Sequence, residues 1–142
     1  DATLTGRTKI WAAVMRQIED RPWLGYGYAT IWDEKGVWTP LAWIVKAAGF
    51  KPVHAHNAWL EQWLGMGILG LTAFALTYAQ VVLTALISMF RSPGAYLAVP
   101  FLLVYSLMSL TESIAVTYND LRWVLFVAIA VKLAWPDRRA AD

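Results

Sequence analysis

The sequence predicts an all-α fold of the polytopic membrane class, and three observations carry that expectation. Of the 142 residues 58% are hydrophobic and only 15% charged, far from the balance of a soluble domain. Uncharged stretches long enough to cross a bilayer fill the second half. An apolar stripe at helical spacing runs through the first half. The predicted architecture is a loop segment over residues 1–61, containing one amphipathic helix, followed by three transmembrane helices and a short basic tail over 62–142. The chain opens on Asp1 with no signal pattern after it, so the expectation is a C-terminal fragment of a longer protein.

The elements follow in chain order. Ile10, Trp11, Val14, Met15 and Ile18 recur at helical spacing, with Lys9, Arg16, Glu19 and Asp20 on other faces. Thr5 or Thr8 is the expected cap, and Pro22 stops the helix by pushing its predecessor out of the α region. Its apolar face needs a cover, expected from the membrane interface or from helices outside this chain. Trp11, Trp23, Trp32 and Trp38 suit an interfacial position. Gly25-Tyr26-Gly27-Tyr28 reads as a turn in which glycine supplies positive φ.

Between Glu61 and Arg91 lie 29 uncharged residues, enough for a helix of about 43 Å against a hydrocarbon core of about 30 Å. A second uncharged run of 20 residues, 92–111, begins at the breaker cluster Ser92-Pro93-Gly94 and carries Pro100, where a kink is expected. The third stretch, 121–135, contains Arg122 and Lys132 and spans only about 22 Å, so both cations must snorkel. Positive charge in short connections marks the cytoplasmic side. Arg91, Lys132, Arg138 and Arg139 then face the cytoplasm, and the segment before Glu61 and the stretch 112–120 face the opposite side.

Composition excludes several functions. A net charge of +2 with no basic run gives no nucleic-acid footprint. The absence of cysteine removes disulfides, thiolate metal sites and thiol nucleophiles.

The residues with chemistry gather where the chain enters the first span. His54-Ala55-His56 is followed by Asn57, a natural N-cap, and by Glu61 one helical turn further on. An imidazole titrates near neutrality, so His56 beside the membrane surface suits general-base work. A His-x-His metal pair with Glu61 as third ligand is a weaker alternative, and no metal and no cofactor is expected. Thr5-Gly6-Arg7-Thr8 precedes the amphipathic helix, where backbone N–H groups and a guanidinium would meet an anion such as phosphate. Arg7 as a solvated cation is the competing reading. Gly65, Gly67 and Gly70 are expected to let neighbouring transmembrane helices approach. Glu112 reads equally as a functional partner or as an interfacial carboxylate.

Three stretches together resemble a known family. They are Thr5-Gly6-Arg7-Thr8 with Ile10-Trp11, running on to Arg21-Pro22-Trp23-Leu24-Gly25-Tyr26-Gly27-Tyr28; His56-Asn57, nine residues, then Gly67-Ile68-Leu69-Gly70; and Leu110-Thr111-Glu112-Ser113 with Asn119-Asp120 and Trp123. In this order they resemble the O-antigen ligase and exopolysaccharide production (polymerase) superfamily of bacterial membrane glycosyltransferases, the exopolysaccharide branch being the more similar. The resemblance implies a multi-pass protein of the bacterial inner membrane, of which the last three spans are present. It implies transfer or polymerisation of a polyprenyl-diphosphate-linked oligosaccharide onto an acceptor glycan or lipid, with inversion, in cell-surface polysaccharide biosynthesis. Residues 1–61 become the extracytoplasmic catalytic loop, with His56 as general base and Arg7, Asn57 and Glu61 as substrate-binding residues. Further arginines would come from outside this chain, so the isolated piece is expected to be inactive. The competing reading is a non-enzymatic transporter or scaffold segment in which His54 and His56 face a polar cavity.

Overall fold

A computed structural model describes residues 4–33, 35, 39–91, 95–117 and 119–135 of the chain. Trp38, the turn at Ser92-Pro93-Gly94 and the 136–139 tail lie outside the described residues, as does the Thr5 side chain. Among the described residues there are five α-helices and no strand. They are α1 (Leu4–Asp20), α2 (Pro40–Ala48), α3 (Ala58–Ser88), α4 (Ala98–Ser109) and α5 (Leu121–Ala134).

Helix α1 begins earlier than its expected caps, so Thr5 and Thr8 lie inside it and Arg7 sits near its N-terminus. It ends at Asp20, just before Pro22, as expected. Its apolar face is covered from within the chain, not by a membrane surface. Ile10, Val14 and Ile18 are buried with Leu41, Ile44 and Ala48 of α2 and with Leu64 of α3. Helix α2 has no counterpart among the elements expected from the sequence, although it carries complete end signals. Thr39 caps it by accepting from the Ala42 N–H, Pro40 holds its first turn, and Gly49 closes it at φ 82°. Trp32 belongs to the same core and so is not interfacial, Trp11 donates to a backbone carbonyl, and Trp23 is exposed.

The long uncharged run does not form one continuous helix. At Gly67 the backbone turns to φ 66°, ψ −172°, a conformation open essentially to glycine alone. An unbroken helix would pair the carbonyls of Leu64 and Gly65 with the amides of Ile68 and Leu69. Instead those carbonyls accept from the N–H groups of Tyr26 (3.0 Å) and Gly27 (2.8 Å), and the Ile68 N–H donates to Pro22 O (2.8 Å). The positive-φ turn at Gly25 and Gly27 thus plugs into the break. A Cβ on Gly67 would stand 2.1 Å from Trp23 O, and one on Gly25 would stand 2.6 Å from Leu64 O. Gly65 and Gly67 therefore serve a loop–helix contact, which corrects the expected helix–helix role. Gly70 faces Met66 of its own helix.

Beyond the break, residues 68–88 span about 31 Å as a helix, matching the hydrocarbon thickness. Helix α3 is the one helix among the described residues that is long and apolar enough to cross a membrane. Helix α4 is shorter than the expected second span, preceded by a 3₁₀ turn at Ala95–Leu97. Pro100 falls in its first turn, where its missing N–H would be unpaired in any case, so the expected kink is absent. Helix α5 matches its expected bounds and starts on Asp120, whose carboxylate accepts from the Arg122 and Trp123 N–H groups. Helices α3, α4 and α5 enclose a second core in which Tyr105 and Phe126 stack 4.9 Å apart.

The break makes a testable demand. Gly67→Ala combines a glycine-only conformation, costing about 1–3 kcal/mol, with the Trp23 clash. It is expected to collapse the thermal transition of the purified protein in detergent and to expose the Tyr26 and Gly27 amides to hydrogen exchange. Gly49→Ala, whose added Cβ would meet nothing within 4 Å, should cost only the left-handed penalty of about 1–2 kcal/mol.

Candidate functional site

Three segments converge above the start of α3. The first is the loop 50–57, which delivers His56. Trp11 of α1 fixes it by donating its indole N–H to Ala55 O at 2.9 Å. His56 adopts φ 53°, a left-handed conformation uncommon for a residue with a side chain. Asn57 follows as the N-cap of α3. Its Oδ1 accepts from the Trp59 (3.0 Å) and Leu60 (3.1 Å) amides, and its Nδ2 donates to Leu110 O (3.1 Å). The cap therefore also ties α3 to the end of α4.

Glu61 lies one turn into α3, where it anchors the other two segments. Its Oε1 accepts from the Trp32 indole N–H. Its Oε2 accepts from the Ala55 N–H (2.8 Å) and the Ser113 hydroxyl (3.1 Å). One carboxylate thus joins the 3₁₀ turn Thr30–Asp33, the His56 loop and the 111–117 strap. Gln62 adds a bond from Nε2 to Ala115 O (3.1 Å). Three donors arriving at Glu61 from separate parts of the chain, with the Gln62 bond beside them, make this the floor of the site.

On that floor stands a second carboxylate, Glu112. Arg7 donates from Nη2 to Glu112 Oε1 at 3.0 Å. The other oxygen, Oε2, lies 3.5 Å from His56 Nδ1. That separation is too long for a hydrogen bond, yet Nδ1 is buried with no other partner. Because the His56 side chain is 29% exposed, its open part lies away from Nδ1. Residues 105 positions apart in the chain are thereby brought together, and Glu112 proves to be the residue whose place among them the sequence left undecided. Its position in Leu-Thr-Glu-Ser was the available signal.

His54 packs against His56 with ring centroids 4.0 Å apart, and its Nδ1 accepts from the His56 N–H at 3.3 Å. Burial holds the His54 pKa below the usual histidine value of 6.5, helped by the neighbouring His56. Donor atoms of His54, His56 and Glu112 all lie within 4.8 Å of one another. Glu112, not Glu61, is therefore the carboxylate beside the His-x-His pair. The guanidinium already on Glu112 opposes a cation at that point.

Two expectations follow. Removing the Glu61 acceptor leaves three donors unpaired, so Glu61→Ala should lower stability by roughly 3 kcal/mol or more, read as a fall in the thermal midpoint. The depressed His54 pKa means that, below pH 6.5, the unfolded chain takes up a proton that the folded chain resists. Stability should therefore be lost as pH falls from 6.5, and His54→Asn, which retains an acceptor near Nδ1, should flatten that loss. Unchanged acid sensitivity in His54→Asn would remove His54 from the account.

The comparisons bear on the same stretch. The family model described as O-antigen ligase matches residues 1–75, which include α1, α2, the plugged break and His56. No curated protein and no solved structure matches the chain. With more than half of its length covered by that model, the chain belongs to the O-antigen ligase family, membrane-associated proteins that act on lipid-linked glycans in polysaccharide biosynthesis.

Proposed function

We propose that the chain carries the catalytic centre of an inverting membrane glycosyltransferase that transfers or polymerises a polyprenyl-diphosphate-linked oligosaccharide. The observation that supports this reading most is the meeting of Arg7, Glu112 and His56. His56 is the general base. With Nδ1 turned toward Glu112, its Nε2 takes the proton of an acceptor hydroxyl as the hydroxyl oxygen attacks the anomeric carbon. The new C–O bond forms as the bond to the lipid diphosphate breaks, and the bonding electrons leave on the diphosphate. A carboxylate behind the ring favours the tautomer with Nδ1 protonated and steadies the imidazolium that develops. Arg7 uses one N–H on Glu112 and keeps the rest of its fork for the departing anion.

Two sequence-based assignments change in this proposal. Glu61 has both oxygens engaged by the chain's own donors, and Asn57 is a helix cap with a cross-tie. Both become positioning residues in place of substrate contacts.

The membrane arrangement belongs to the same proposal. Residues up to the break at Gly67 form the extracytoplasmic catalytic part, and 68–88, α4 with its leading turn, and α5 are three spans of a multi-pass inner-membrane protein. Outward-facing Leu76, Leu83, Leu103, Leu107, Val124 and Val131 support lipid contact on all three, and Arg91 and Lys132 support a cytoplasmic side.

His56→Ala is expected to cut surface polymer about 10²- to 10⁴-fold, and Arg7→Ala about 10²- to 10³-fold, while both proteins accumulate in the membrane as wild type does. Glu112→Gln, matched in shape, should fall between these and the parent. Wild-type polymer from His56→Ala or Arg7→Ala would sink the corresponding role, and wild-type polymer from both would return the chain to a transporter or scaffold.

A further inference from the structure

Away from the His56 site, the seam between α1 and α2 holds two adjoining cavities of about 400 Å³ and about 340 Å³. They share Gln17 and Trp43 as a common wall. Trp43 is 48% exposed, so an aromatic face and a side-chain amide border both hollows. Asp20 and Arg21 line one side, Arg16 and Lys46 the other. None of these four makes an ion pair among the described residues. Arg21 instead lies 4.8 Å above the Tyr26 ring, and Lys46 lies 5.3 Å above the Trp43 ring.

That combination has a defined chemistry. A sugar ring offers a C–H face that stacks on an indole, and a rim of hydroxyls that seeks amide, carboxylate and guanidinium partners. Three cations against one carboxylate add a preference for negative charge, and cations held on aromatic faces have not been neutralised by a carboxylate. Helix rise separates Arg7 from Gln17 by about 15 Å along α1, so this seam lies apart from the reacting centre. We propose that it is an accessory saccharide-binding site that holds an acidic stretch of glycan, with the part of the Trp43 ring that Lys46 leaves exposed as the stacking platform and Arg21 and Lys46 as carboxylate partners. The proposal deepens the glycan-transfer reading and rests on it for the biological source of the saccharide.

The test is calorimetric titration of the complete protein in detergent with tetragalacturonate, alongside its carboxyl-reduced tetrasaccharide. The acid should bind and the reduced form should bind at least about tenfold more weakly. Trp43→Ala should weaken binding of the acid about tenfold. The double variant Arg21→Gln, Lys46→Gln, which changes only exposed side chains, should erase the difference between the two sugars. His56→Ala should bind as wild type does, so a failed catalytic assignment would show in turnover and leave this result intact. Equal binding of the two sugars, no binding of either, or wild-type affinity in Trp43→Ala and in the double variant would overturn the proposal. Loss of binding in His56→Ala would do so as well, by moving the saccharide to the catalytic centre.

Discussion

The backbone contact between the 22–27 turn and the break in α3 is the constraint on which the rest of the structure depends. Hydrogen bonds that an unbroken helix would make within itself are handed to a separate segment: Leu64 O and Gly65 O to Tyr26 and Gly27, Ile68 N to Pro22. Buried backbone groups cannot go unpaired without a penalty, so break and turn require each other. The exchange divides one apolar run into two functional lengths. The part before Gly67 packs with α1 and α2, and the part after it matches a bilayer. Because α1 ends where the turn begins, the same contact sets where its other end, with Arg7, must lie. The nine residues between Asn57 and Gly67 are the distance from the helix cap to the break, which gives that spacing a physical meaning.

Two glutamates show how surroundings divide roles within one chemical group. Glu61 accepts from an indole, an amide and a hydroxyl. These neutral donors engage both carboxylate oxygens and fix the group in place. Glu112 instead faces a guanidinium and an imidazole, both side chains that can carry positive charge. Glu61 holds the strap that carries Glu112, and Asn57 locks the same end of α4 to the start of α3. The Arg7–Glu112–His56 group thus sits on a polar base held in place by the chain's own hydrogen bonds.

What could be read from the sequence was what depends on neighbours in the chain. Asn57 as a cap, Asp20 as a helix end ahead of Pro22, the positive-φ glycines at 25 and 27, and the bounds of α5 all follow from local rules. The break at Gly67 was hidden because an uncharged run carries no signal of its own continuity, and glycine in such a run equally suits helix packing. Helix α2 was hidden because nine residues give little periodicity, although Thr39, Pro40 and Gly49 marked its ends. Trp32 was misplaced because composition cannot distinguish an indole at an interface from one packed inside a core. Of the site, His56 and Arg7 were legible as residues. Their meeting through Glu112 was not, since it depends on a contact spanning 105 positions.

The central claim is that the His56 ring acts as a base, and its backbone offers a clean test. At φ 53° a glycine is at ease, so His56→Gly removes the ring without straining the loop. The decisive measurement is release of polyprenyl diphosphate by that variant of the complete protein, with lipid-linked donor and acceptor, as free imidazole is added. Almost no release is expected without imidazole, and a saturable, concentration-dependent recovery with it, unaffected by a metal chelator. Wild-type release from His56→Gly in the absence of imidazole, or failure of imidazole to restore any, would contradict the claim.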